Sequence, residues 1–186
     1  MKFAIADPPY LGRAHRWYGI GGRAKGMGKG KADNHPEAYK WDEPEMHLKL
    51  AADLMVKYDG FAIACTPHSL STYLSIIPTH SENGIKLLSW IKPASMPTGS
   101  RITQSWEAVI VKVPKQRKGR GTGKQIVDYL ICRAPRKGFA GAKPIEWTNW
   151  VMDAMGVMNG DTVDDLFSGS GMVSAAVERY LNARRI

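Results

Sequence analysis

Short apolar runs alternate with segments of helical character along most of this chain, and this alternation is the feature that most constrains its fold. The runs KFAIA, FAIACT, IKLLSWI, WEAVIVKV and TVDDLF have the length and composition of strands. Helices are predicted to begin near WDEPEM, HSLSTY, PIEWTNW and MVSAAV. Strands that alternate with helices predict an α/β fold with a mostly parallel sheet and helices on both faces.

The size and composition of the chain are those of a globular protein. Its 186 residues are 44% apolar and 23% charged, which predicts one domain over residues 1–186 with basic mobile loops near residues 11–40 and 114–142. The longest apolar runs are far shorter than the roughly 18 residues of a membrane span, and FAIA is too short for a signal-peptide core, so a cytoplasmic location is expected. The two cysteines and five histidines lack the spacing of a disulfide framework or a metal site.

The positive charge of the chain is concentrated in two glycine-rich blocks that contain no acid. The net charge is +9, which favours polyanionic partners whatever the fold. A single charge run is most often a solvated face, but two such blocks in a small basic protein favour a nucleic-acid backbone as partner. The first block holds Arg13, Arg16, Arg23, Lys25, Lys29 and Lys31, and the second holds Lys112, Lys115, Arg117, Lys118, Arg120 and Lys124.

Two helix boundaries are predicted from local signals. In WDEPEM, Asp42 is a good N-cap, Glu45 follows three residues later as in a capping box, and Trp41 is placed to pack on Met46. The apolar face of this helix is predicted to hold Met46, Leu50, Leu54 and Met55. A second helix is predicted to begin at Pro144 and to end near Gly156.

The segment DDLFSGSGMV has the pattern strand, acid, glycine turn, helix. Gly169 and Gly171 allow a sharp turn and a close approach of the backbone to a ligand, and the N–H groups that begin the helix face that ligand. Ligands of α/β folds bind beyond the carboxyl ends of the strands, where this turn is expected. A lone G-x-G turn is weak evidence, because many such turns bind nothing.

DPPY, at residues 7–10, follows the first predicted strand. The prolines alone are explained by a stiff surface turn, which leaves the acid and the aromatic ring without a role. Held rigidly by Pro8 and Pro9, the Asp7 carboxylate and the Pro8 carbonyl form a pair of acceptors suited to an amino group. Tyr10 supplies a flat face for stacking, worth about 1–3 kcal/mol per base. The four residues therefore predict a pocket for a base that carries an exocyclic amine.

Together these two strand ends resemble the amino-methyltransferases of DNA, which move a methyl group from S-adenosylmethionine (SAM) to the exocyclic nitrogen of adenine or cytosine. DPPY precedes F-x-G-x-G, an order similar to the permuted β-type of that family. SWIKP at 89–93, WEAVIVKV at 106–113 and the KP of AKPIEWTNW are similar to the motifs that lie between. The C-terminal part looks close to small methylases of phages and their bacterial hosts, including those of restriction-modification systems.

The resemblance implies a Rossmann-like methyltransferase fold and a role for each matching residue. Asp7 and Pro8 would hold the target amino group beside Pro9, and Tyr10 would stack on a flipped adenine. SAM would lie against nine residues: Ala6, Lys143, Pro144, Asp165, Phe167, Ser168, Gly169, Ser170 and Gly171. The basic blocks would contact DNA phosphates and offset the few kcal/mol that base extrusion costs. A homodimer is compatible with the resemblance.

The chain departs from the family at its C-terminal end and leaves several alternatives open. A strand that usually ends in a ribose-binding acid is at most begun at LNARRI, so SAM affinity is expected to be weak unless another loop supplies an acid. No long recognition segment is present, so limited sequence specificity is expected. Aspartate in the first motif position favours adenine over cytosine as the target. The alternatives are N4-cytosine methylation of DNA, adenine methylation of RNA, and nucleic-acid binding without catalysis.

Overall fold

The computed structural model describes residues 1–22, 35–79, 84–93, 101–119, 121, 123–135 and 141–183. The strands in these ranges are β1 (Lys2–Ala6), β2 (Gly60–Cys65), β3 (Ile85–Ile91), β4 (Trp106–Lys112), β5 (Tyr129–Ile131) and β6 (Thr162–Asp165). The α-helices are α1 (Ala14–Tyr18), α2 (Pro44–Lys57), α3 (Leu70–Leu74), α4 (Ile145–Met155) and α5 (Met172–Ala183). Short 3-10 helices cover Ala38–Asp42, Pro67–Ser69 and Lys115–Arg117. The strands and helices predicted from the sequence are therefore present, with α1 and β5 as additions.

All six described strands belong to one sheet, in the order β5-β3-β4-β2-β1-β6. β1 is parallel to β2 and β6, and β5 is parallel to β3. Only β4, among the strands described, runs the other way, antiparallel to both β2 and β3. The predicted mostly parallel α/β sheet is confirmed.

Helices cover both faces of the sheet, because the central strands are apolar on both sides. Along β1, Phe3 and Ile5 face the side packed by α4 and α5, whereas Ala4 and Ala6 face the side packed by α2 and α3. All six residues of β2 are buried, as expected for a strand covered on two faces. Because apolar layers cover both faces of the sheet, the functional groups lie where the strands begin and end.

The direction of the strands gives the sheet two different edges. The carboxyl edge, as we use the term, is the side where β1, β2, β3, β5 and β6 end and where the reversed β4 begins. Asp7 follows β1, Lys92 follows β3, and Glu107 lies at the start of β4, so all three reach this edge. The opposite side, where β3 begins and β4 ends, is the amino edge.

α2 begins within WDEPEM as predicted, but the predicted N-cap is wrong, because Asp42 caps a different helix. The N-cap of α2 is Glu43, and no side chain caps this end. The Asp42 carboxylate accepts hydrogen bonds from the backbone N–H groups of Ala14 and His15, at 2.7 and 2.9 Å. These two N–H groups have no hydrogen-bond partner within α1, because they lie at its start. They therefore take the carboxylate that was predicted to cap α2. Trp41 packs edge-on against His47 and Phe167.

The buried face of α2 differs in part from the prediction. Leu54 is fully buried, and Leu50 and Met55 pack partly against the same core. His47, which the sequence did not single out, is 1% exposed, with Nδ1 2.6 Å from the Tyr73 hydroxyl and Nε2 2.8 Å from the Trp41 carbonyl. Burial lowers the pKa of His47, and the hydrogen bond to the carbonyl opposes that shift. A neutral imidazole, which donates from Nε2 and accepts at Nδ1, satisfies both contacts.

The boundaries of α4 are as predicted. Pro144 is its N-cap residue, and Gly156 ends it with a φ of 74°, in the left-handed region that favours glycine. None of the described helices is long and apolar enough to cross a membrane.

Candidate active site

A cavity of about 410 Å³ opens at the carboxyl edge, where β1 and β6 end side by side. It brings together residues from both ends of the chain, since DPPY follows β1 and the glycine turn follows β6. Its volume falls within the range of roughly 300–1,000 Å³ typical of small-molecule sites. The predicted site residues that line it are Asp7, Pro9, Lys143, Phe167, Ser168, Gly169 and Ser170.

Asp7 and Lys143 form a buried ion pair in the wall of this cavity. The Lys143 ammonium lies 2.7 Å from both carboxylate oxygens of Asp7. The side chain of Lys143 is 2% exposed and that of Asp7 is 20% exposed. Because Lys143 directly precedes Pro144 and α4, the start of that helix places the ammonium beneath the end of β1.

Glu107 connects this pair to Tyr10. The Tyr10 hydroxyl donates a 2.6 Å hydrogen bond to one Glu107 oxygen, and Lys92 donates to the other at 2.6 Å. Lys143 lies 3.6 Å from Glu107 and 3.2 Å from the Tyr10 hydroxyl. Two carboxylates and two ammonium groups thus form one network, here called the charge cluster: Asp7, Lys92, Glu107 and Lys143.

The pKa values in the charge cluster reflect the balance between burial and pairing. Burial lowers the pKa of Lys143, but the neighbouring Asp7 and Glu107 outweigh it, and the net shift is upward. Burial raises the pKa of Glu107, but Lys143 and Lys92 outweigh it, and the net shift is downward. Burial raises the pKa of Asp7 more than Lys143 lowers it. Burial, followed by the Glu107 charge, also raises the pKa of Tyr10 well above its usual value, so Tyr10 is a neutral donor.

The glycine turn follows β6 as the sequence predicts. Gly169 and Gly171 have φ values of 34° and 73°, a backbone region that other residues rarely adopt. Asp165 fixes the turn, because its carboxylate accepts from the Phe167 N–H at 3.3 Å and from the Ser174 hydroxyl at 2.6 Å. Phe167 then packs edge-on against Trp41, with ring centroids 5.1 Å apart. An aromatic pair and a glycine-rich backbone therefore face the cavity together.

The remaining predicted residues of the two strand ends support the cavity without lining it. Ala6 is fully buried in the sheet, and Pro8 and Pro144 are buried. Gly171 directly precedes α5. Tyr10 contacts the charge cluster through its hydroxyl, and Lys143 lies 5.5 Å from the centroid of its ring.

The described residues of the two basic blocks lie at different edges of the sheet. Arg13 and Arg16 are exposed beside and on α1, whose last residue Tyr18 lines the site cavity. The second block follows β4 at the amino edge, where Arg117, Lys118 and Lys124 line a separate cavity of about 490 Å³. Lys115 is exposed near that cavity, whereas the Arg117 guanidinium is paired with Asp161 at 3.1 Å. Arg23, Lys25, Lys29, Lys31 and Arg120 lie outside the described residues.

Sequence reasoning missed several groups at the site. Tyr18, His35, Glu37 and Ala38 line the cavity, although they belong to a segment predicted to be a loop, and Trp41 lines it although it was predicted only to pack on the helix that follows. Glu107 was recognised only as part of a strand motif. One available signal was its acidic side chain at the start of an apolar strand, since a charge there needs a partner.

Comparison with known proteins establishes the fold. No protein-family model and no curated protein matches the sequence. The crystal structure of an M1.HpyAVI-SAM complex matches 96% of this chain and 78% of that chain, with a TM-score of 0.58 and 21% identity. A crystal structure of M1.HpyAVI matches 97% of this chain and 76% of that chain, with a TM-score of 0.54 and 16% identity. The predicted fold class is confirmed over nearly the whole chain.

Proposed function

We propose that this protein transfers the methyl group of SAM to the exocyclic amino nitrogen of adenine in DNA. The observation that carries the proposal is that one cavity at the carboxyl edge is lined both by Asp7 of DPPY and by the glycine turn of FSGSG. These two motifs resemble the catalytic and cofactor motifs of the DNA amino-methyltransferases. The fold shared with M1.HpyAVI, which has been crystallised with SAM, supports the same assignment.

The residues of the cavity fit SAM. The left-handed Gly169 allows the backbone to approach a ligand closely, and Ser168 and Ser170 add polar groups on either side of it. The rings of Trp41 and Phe167 provide flat apolar faces for a heterocycle. Asp7 and Glu37 place carboxylates around the space, which suits a cationic sulfonium and a sugar diol. Phe167, Ser168, Gly169, Ser170 and Trp41 are therefore the residues proposed to hold it.

The chain's own contribution to the reaction is alignment. SAM supplies a methyl group on a positively charged sulfur, which is a good leaving group. Asp7 and the Pro8 carbonyl would accept hydrogen bonds from the target amino group and direct its lone pair at the methyl carbon. As the new N–C bond forms, the S–C bond breaks and its electron pair stays on sulfur. The cationic nitrogen then loses its proton to solvent water, and correct alignment supplies most of the rate enhancement.

DNA is the proposed partner because two exposed arginines at the edge that carries the cavity are placed to hold phosphates. Arg13 and Arg16 are exposed next to α1 at the carboxyl edge. Contacts of this kind position a duplex without selecting its sequence, which agrees with the limited specificity expected. Adenine is proposed over cytosine because Asp7 occupies the first position of the motif.

Nucleoside analysis tests the proposal directly. The protein is incubated with labelled SAM and either DNA or RNA, the nucleic acid is digested, and the methylated base is identified by mass spectrometry. We expect label in N6-methyladenine of DNA. Label in N4-methylcytosine would refute adenine specificity, and label confined to RNA would refute the DNA substrate. Absence of label with every substrate would refute the enzyme assignment.

Two variants separate catalysis from cofactor binding. Asp7→Ala is expected to abolish transfer while SAM binding, measured by calorimetry, stays within a few-fold of the parent. Trp41→Ala is the matched control at the other side of the cavity. It is expected to weaken SAM binding by about 2- to 12-fold, corresponding to the roughly 0.5–1.5 kcal/mol of an aromatic pair. Transfer by Asp7→Ala at the parent rate would show that the catalytic motif is misassigned.

A further inference from the structure

The Lys143 ammonium lies between two carboxylates but is hydrogen-bonded to only one of them. Its Nζ donates to both Asp7 oxygens at 2.7 Å, and it lies 3.2 Å from the Tyr10 hydroxyl and 3.3 Å from the Gly141 carbonyl. The nearer oxygen of Glu107 is 3.6 Å away. Lys143 is therefore bound to Asp7 and poised beside Glu107.

This arrangement conflicts with the role proposed for Asp7. The target amino group needs an Asp7 oxygen as acceptor, and the ammonium already uses both. The side chain of Lys143 is only 2% exposed, so the ammonium has little access to water when it leaves Asp7. A buried charge without a partner is strongly unfavourable, so Lys143 requires another anion close by.

Glu107 meets that requirement. A movement of roughly 1 Å would bring Nζ to the 2.7–2.9 Å typical of an ammonium–carboxylate hydrogen bond. Glu107 is itself held in place by Tyr10 and Lys92, both at 2.6 Å, and its side chain is 13% exposed. The second carboxylate is thus fixed, desolvated and within reach.

We propose that Glu107 is a positioning residue that receives the Lys143 ammonium when the target amino group binds Asp7. This exchange of partners rests on the function proposed above and deepens it. Asp7 then becomes free to accept from the target while Lys143 stays paired throughout. Lys92 opposes the exchange, because its own ammonium already neutralises Glu107.

The exchange predicts that substitution of Glu107 and substitution of Lys92 change the rate of methyl transfer in opposite directions. Glu107→Gln keeps an acceptor for the Tyr10 hydroxyl but removes the charge that would receive Lys143, so transfer slows. Lys92→Met leaves Glu107 with Lys143 as its cation in the charge cluster, so the exchange becomes easier and transfer quickens. A network with a merely structural role would be impaired by both changes.

Single-turnover kinetics with saturating SAM and DNA measure these effects. We expect the rate to fall at least tenfold in Glu107→Gln, with SAM binding and DNA binding within threefold of the parent. We expect the rate to rise at least twofold in Lys92→Met. A parent-like rate in Glu107→Gln, or a tenfold fall in Lys92→Met, would overturn the exchange. If Glu107→Gln does not fold, Lys92→Met decides alone.

A crystal structure of Asp7→Asn tests the exchange without any methyl transfer. Loss of the Asp7 charge should move the Lys143 Nζ to within 3.0 Å of Glu107, from 3.6 Å. An ammonium that remains on the side chain of residue 7, away from Glu107, would overturn the exchange. If the parent protein transfers no methyl group to any nucleic acid, the proposed function fails. The crystal structure of Asp7→Asn would still show whether Lys143 changes its partner from Asp7 to Glu107.

Discussion

Lys143→Met is expected to destabilise the fold substantially, because it leaves Asp7 buried beside Glu107 with no cation of its own. The Lys143 side chain is only 2% exposed, and methionine replaces its apolar stem with little change in volume. Removing one partner of a buried ion pair costs about 3–5 kcal/mol. We expect about 3 kcal/mol, the lower end, because the Asp7 side chain is 20% exposed.

The double variant Asp7→Asn/Lys143→Met makes the reasoning specific. Both charges are then absent, and Glu107 keeps Lys92 at 2.6 Å and the Tyr10 hydroxyl at 2.6 Å. We therefore expect the double variant to regain more than half of the stability lost in Lys143→Met. The coupling between the two sites is measured as the difference between the double variant and the two single variants.

Urea denaturation followed by tryptophan fluorescence provides the free energies of unfolding. In Lys143→Met the pKa of Asp7 lies above its unfolded value, since burial raises it and the opposing ammonium is gone. The folded variant then binds the proton more tightly, so its loss of stability relative to the parent shrinks as pH falls from 7 to 5, by at most about 1.4 kcal/mol per pH unit. A double variant no more stable than Lys143→Met, or a loss that is the same at both pH values, would refute this account.

Three other predictions follow from contacts in the fold. Asp42→Ala should cost about 0.5–2 kcal/mol in urea denaturation, because α1 loses both capping hydrogen bonds, whereas Glu43→Ala, which removes no cap, should stay within about 0.5 kcal/mol. Stability should decline as pH falls below about 6.5, since the pKa of His47 is lowered by burial and the unfolded chain takes up the proton first; His47→Phe should remove that part of the decline in thermal melts at pH 5 and 7. Arg16→Gln should weaken DNA binding in a filter assay more than Lys124→Gln, because Arg16, unlike Lys124, is at the edge that carries the site cavity. An equal loss of binding in the two variants would contradict the placement of the two blocks.

The sequence predicted those parts of the site that depend on adjacent residues. DPPY and the glycine turn are local motifs, and each needs only the strand before it to be placed at the carboxyl edge. The charge cluster could not be predicted in this way, because Asp7, Glu107 and Lys143 are far apart in the chain and meet only through the order of the strands. Strand order depends on the packing of both faces, which no single segment specifies.

Asp42 shows a different reason for failure. The local capping rule was satisfied by its sequence context, yet the carboxylate serves Ala14 and His15, which lie 28 and 27 residues earlier. The same side chain could cap either of two helix ends, and it caps α1 because the fold packs α1 against the 3-10 helix Ala38–Asp42. The position of the second basic block could not be predicted for a similar reason. Its positive charge gives no information about which edge of the sheet it reaches.

The reversal of β4 has a consequence for how this fold can diversify. The chain leaves β3 at Ile91 and re-enters the sheet at Trp106, and both points lie at the carboxyl edge. Extra residues inserted between them would extend from the carboxyl edge, beside Lys92 and Glu107 of the charge cluster, without altering the register of any strand. Relatives built on the same sheet could therefore acquire new target preferences by lengthening this one connection, while the machinery beneath it stays unchanged.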